Sequence, residues 1–92
     1  MRLAEAIRGL DGLDEDHTLF VRRPWTPDAE CIVESLDEEY RVPAAITAAG
    51  YSYFLDVSVL RELFDSPPAR SASHEERVSA AIHYAVHDAP PQ

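Results

Sequence analysis

The chain has no lysine; all eight of its basic residues are arginine. It has one cysteine, three glycines, one methionine and one tryptophan in 92 residues. Each scarcity excludes something. A lone Cys31 rules out an intramolecular disulfide and any cysteine cluster for zinc. With only Gly9, Gly12 and Gly50, there is no glycine-rich loop to cradle phosphate. No serine stands in a Gly-x-Ser-x-Gly setting. No apolar run approaches the ~20 residues of a membrane-spanning helix. The opening Met1–Asp16 segment lacks the apolar core of a signal peptide, so the expectation is a cytoplasmic protein.

Acid is abundant. Seventeen Asp and Glu against eight Arg give a net charge of −9. That balance disfavours nucleic acid and anionic membranes, which need a basic footprint. It favours a basic protein partner. It also has a bland explanation: a GC-rich genome or a salt-adapted proteome would replace Lys with Arg and add acid everywhere.

The apolar fraction of 46% argues for a folded domain. A chain of this length has room for one core and buries roughly 60–65% of its unfolded surface. The expected organisation is one domain over residues 1–88 and a frayed tail at 89–92. Leu3, Ala6, Ile7 and Leu10 have the spacing of an amphipathic helix. Thr18–Arg22 reads as a strand, followed by a turn around Pro24-Trp25-Thr26-Pro27. Residues 29–36 fit two descriptions. Thr26-Pro27 could open a helix, but the β-branched run Cys31-Ile32-Val33 favours a strand. Pro43–Ala49 reads as a short helix stopped by Gly50, and Tyr51–Asp56 as a third strand. Val57–Phe64 has helical spacing. Ser73-x-x-Glu76 is a capping box opening a helix to about His87. The predicted order is α-β-β-(α)-β-α-α, a two-layer α+β domain with a mainly antiparallel three-stranded sheet. Phe20, Ile32 and Tyr53 are apolar where a solvated face would be polar, so that face is either covered by helices or meets another subunit.

Eight acids fall in two clusters, Asp11/Asp14/Glu15/Asp16 and Glu34/Asp37/Glu38/Glu39. If residues 29–36 pair antiparallel with Thr18–Arg22, both clusters meet at one end of the fold, opposite Arg22 and Arg23. Glu15, Asp16, Asp37, Glu38 and Glu39 are then the expected contacts with a basic partner. Neither acidic run has the ligand spacing of an EF-hand. Trp25 is expected either to fold back onto the core or to anchor an interface. His83 and His87 are four apart, with Glu76 on the same side of the helix; they form a weak metal candidate without a specified third ligand. No cofactor and no catalytic residues are expected, because the paired carboxylates lie in charged loops that would not drive their pKa values apart.

The run Leu19-Phe20-Val21, Pro24-Trp25-Thr26-Pro27-Asp28, Val33, Asp37, Pro43 and Gly50 through Val57, with the last helix carrying Tyr84, Asp88 and Ala89, resembles small bacterial proteins of unknown function, some of immunity-protein type. The resemblance implies a compact α+β fold and no enzyme activity. The alternative to a basic partner is a homodimer through the apolar sheet face.

Overall fold

The computed structural model describes residues 1–35, 44–65 and 69–87. Its elements are α1 (Leu3–Arg8), a 3-10 turn (Leu10–Gly12), β1 (His17–Arg22), β2 (Cys31–Ser35), α2 (Ala44–Ala48), β3 (Tyr51–Asp56), α3 (Val57–Asp65), a second 3-10 turn (Ala69–Ser71) and α4 (His74–His87). This is the expected α+β order. The strand reading of residues 29–36 holds over Cys31–Ser35. The expected frayed tail at 89–92 lies outside the described residues, as does residue 88, the last of the expected domain.

The sheet order is β2-β1-β3, and both neighbours run antiparallel to the central β1. Thr18, Leu19, Phe20 and Val21 are all buried, so β1 is covered on both faces. This is why its sequence does not alternate. Leu19 and Val21 point into the main core with Leu3, Ile7, Cys31, Leu60 and Val78. Phe20 is on the opposite face. It lies across from Ile32 on β2 and Tyr53 on β3, and its ring meets that of Tyr53 edge-on at 6.4 Å.

β3 carries a bulge. Leu19 faces Leu55 and Phe20 faces Tyr53, which leaves Phe54 as the extra residue. A regular strand would send Phe54 and Leu55 to opposite faces. The bulge lets both enter the core, and both are buried.

The N-terminus is tied down by backbone bonds rather than a side-chain cap. Leu3 and Ala4 donate to the carbonyls of Ala29 and Pro27 at 2.9 and 3.0 Å. These are N–H groups that a helix start leaves without partners. Just upstream, Cys31 donates to the Met1 carbonyl at 2.7 Å, so the first residues cover the start of the β2 edge. α4 opens on the predicted capping box. The Glu76 amide donates to Ser73 Oγ at 3.2 Å, and Ser73 Oγ donates to the Glu76 carboxylate at 3.1 Å. Val78 and Ala81 form its buried stripe.

Candidate functional site: the acidic end of the sheet

The register pairs His17 with Ser35 and Thr18 with Glu34. The chain enters β1 through Asp14-Glu15-Asp16 and leaves β2 just beyond Glu34. The first acidic cluster and the start of the second therefore lie side by side, as an antiparallel hairpin requires. Asp14, Glu15, Asp16 and Glu34 are exposed. Asp37, Glu38 and Glu39 lie outside the described residues. β3 adds a carboxylate at the same end: Asp56 lies opposite Thr18 and accepts a 2.7 Å hydrogen bond from its hydroxyl. That bond satisfies the one buried polar side chain among the described residues, Thr18.

Arg61 organises the loop that carries the first cluster. It sits on α3, and its guanidinium reaches across to the α1–β1 connection. One nitrogen, Nη2, donates to the carbonyls of Leu10 (3.3 Å), Asp11 (3.4 Å) and Leu13. The other, Nη1, is 3.3 Å from the Glu15 carboxylate. Glu15 is therefore partly neutralised within the chain. Asp14, Asp16 and Glu34 have no ion pair among the described residues, so they carry more of the outward charge than Glu15 does. Sequence reasoning missed Arg61 because it lies about fifty positions from the carbonyls it binds. A single arginine on a helix gives no local signal of such a role.

The arginine end is also internally engaged. Arg22 donates to the Ala49 carbonyl at 2.8 Å and lies 4.9 Å from the Tyr51 ring centre. Gly50 next to it takes φ +90, a conformation that suits glycine and stops α2. The Tyr51 hydroxyl donates to Glu30 at 3.0 Å, and this bond to the carboxylate is the main reason its pKa is raised. Trp25 folds back onto the core. Its ring meets Phe54 edge-on at 5.1 Å, its Nε1 donates to the Val21 carbonyl at 3.3 Å, and Arg23 covers it at 4.3 Å. Of the two expectations for Trp25, packing back onto the core is the one that these contacts describe.

His83 and His87 are exposed, with ring centres 4.4 Å apart. Glu76 is held in the capping box. Among the described residues, no group of three His, Cys, Asp or Glu is placed to hold a metal ion. Cys31 is fully buried, and burial pushes its thiol pKa up to about 12. It packs as a small apolar side chain within the main core. No helix among the described residues is long and apolar enough to cross a membrane. Comparison with protein-family models, with curated proteins and with solved structures gave no match.

Proposed function

We propose that this chain is a non-catalytic acidic interaction domain, of immunity or inhibitor type, that docks a basic protein surface through the acidic end of its sheet. The observation that carries the reading is the β1–β2 register, in which Glu34 flanks Thr18 and the Asp14–Asp16 segment leads straight into β1. Asp16 and Glu34 are the principal described contacts. Glu15 takes part while remaining tied to Arg61. Asp37, Glu38 and Glu39 continue the same run of sequence and complete the expected contact set. Charge clustered at one end steers encounter and fixes orientation more than it adds affinity.

The homodimer alternative has less support. Phe20, the largest apolar side chain on the second sheet face, is fully buried, and Tyr53 is 42% exposed. Among the described residues of that face, the half-buried Ile32 and the half-open Tyr53 fall short of the contiguous apolar patch that a stable self-interface needs.

The test compares two double reversals that change net charge equally. One is Asp16→Arg with Glu34→Arg. The other is Glu5→Arg with Glu75→Arg, on the helical layer. Stopped-flow association with an oligo-arginine peptide should slow on the order of tenfold for the first pair at low salt, with a flatter salt dependence. The second pair should change it much less. Equal slowing by both pairs would mean that only net charge matters, and the docking end would be rejected.

A further inference from the structure

The helical layer contains a pocket of about 460 Å³ between α1, α3, α4 and the Ala69–Ser71 turn. Its charge runs against the rest of the molecule. Among the described residues, four arginines (Arg8, Arg61, Arg70 and Arg77) line it against three carboxylates, Asp11, Glu62 and Asp65. The remaining sequence holds four arginines against fourteen carboxylates. Its floor is apolar: Ile7, Leu10 and Phe64 are buried residues of the main core.

The four arginines divide into two kinds. Arg61 is spent on the Leu10, Asp11 and Leu13 carbonyls and on Glu15. Arg77 lies 5.6 Å from the Phe64 ring centre and donates to the Arg70 carbonyl at 3.0 Å, which ties the turn to α4. Arg8 and Arg70 have no ion-pair partner among the described residues, and both are exposed at the pocket.

We infer that this pocket binds a small organic monoanion: a carboxylate on an aromatic or branched aliphatic body, received by Arg8 and Arg70, with the body resting on Ile7, Leu10 and Phe64. The volume falls within the range of small-molecule sites, which combine apolar walls with a few convergent polar groups. Guanidinium matches carboxylate geometry through paired donors. The three rim carboxylates set the ligand's charge. Four guanidinium groups against these three carboxylates leave room for one added negative charge, and the carboxylates disfavour a dianion such as phosphate. This site is separate from the acidic end and does not depend on the docking reading.

The experiment is a titration of the intact chain with benzoate, followed by amide chemical shifts. Benzamide, the neutral counterpart, and inorganic phosphate are titrated in parallel. Saturable shifts at Ile7, Leu10 and Phe64 are expected with benzoate in the millimolar range usual for so small a ligand. Arg8→Gln combined with Arg70→Gln should weaken benzoate about tenfold. Both side chains are exposed, so the variant should keep its melting temperature. An Arg2→Gln control should bind as the parent does. The inference is overturned if benzoate gives no saturable shift at these residues. It is equally overturned if benzamide or phosphate binds as well as benzoate, or if the double variant binds unchanged.

Discussion

Arg61 should be the most costly arginine to remove. Arg61→Met keeps the stem's packing and deletes the guanidinium. The charged donor then leaves the carbonyls of Leu10, Asp11 and Leu13, and Glu15 loses its partner. Hydrogen bonds to a charged group contribute roughly 1.5–3 kcal/mol. Three carbonyls share one nitrogen here, and the side chain is 29% exposed, so the lower part of that range applies. The ion pair adds little, because the Glu15 side chain is 70% exposed and such pairs contribute ~0.5 kcal/mol. Together these give about 2 kcal/mol. In a domain of this size, 1 kcal/mol moves Tm by roughly 4–8 °C, so the expected fall is on the order of 8–16 °C.

Thermal unfolding followed by far-ultraviolet circular dichroism measures this directly, with Glu15→Gln as the partner variant. That variant removes only the exposed ion pair and should lower Tm by less than about 4 °C. Salt separates the two contributions further. Screening should erase the Glu15→Gln effect and leave most of the Arg61→Met effect, because carbonyl acceptors carry no net charge to screen. If Arg61→Met cost no more than Glu15→Gln, or if salt abolished the difference, the anchoring role of Arg61 would be wrong.

Two further outcomes follow from local chemistry. Ser73→Ala removes both hydrogen bonds of the α4 capping box and should cost about 1 kcal/mol in urea denaturation, a loss that an unchanged midpoint would contradict. Cys31 sets an alkaline limit. Its thiol pKa rises from 9.0 to about 12 on folding, so the folded state holds a proton that the unfolded state releases. Stability from this group is complete below pH 9 and falls by up to about 1.4 kcal/mol per pH unit as pH approaches 12. Cys31→Ala should flatten that slope, measured in a Tyr51→Phe background because the raised Tyr51 pKa acts in the same direction. An unchanged slope would mean the thiol titrates normally.

What the sequence revealed of the fold was what depends on neighbours along the chain. Ser73 and Glu76 are three residues apart, so their cap was visible as a pattern. The stripe of Val78 and Ala81 on α4, and the halt of α2 at Gly50, are local in the same way. Residues 29–36 stayed open between strand and helix because the deciding bonds are distant: the Cys31 amide goes to Met1, and the strand pairs with β1. The bulge at Phe54 was hidden for a related reason. Nothing in Tyr-Phe-Leu-Asp states that two adjacent apolar residues enter one core; the β1 register decides it.

The acidic end combines both kinds of information, and that sharpens its chemistry. Cluster composition was plain from the sequence, but composition alone cannot distinguish diffuse acidity from a shaped surface. Two non-local features make the difference. The register sets Glu34 beside the entry to β1, and Arg61 fixes the Leu10–Leu13 backbone from which Asp14–Asp16 continue. Carboxylates on a tethered loop lose less conformational entropy when a partner engages them than carboxylates on a free one. Arg61 therefore takes some charge from Glu15 and in return holds the loop in place. A basic partner that reads this end would gain less from Arg61→Met than the added negative charge alone predicts, because the substitution raises the acidity while loosening its geometry.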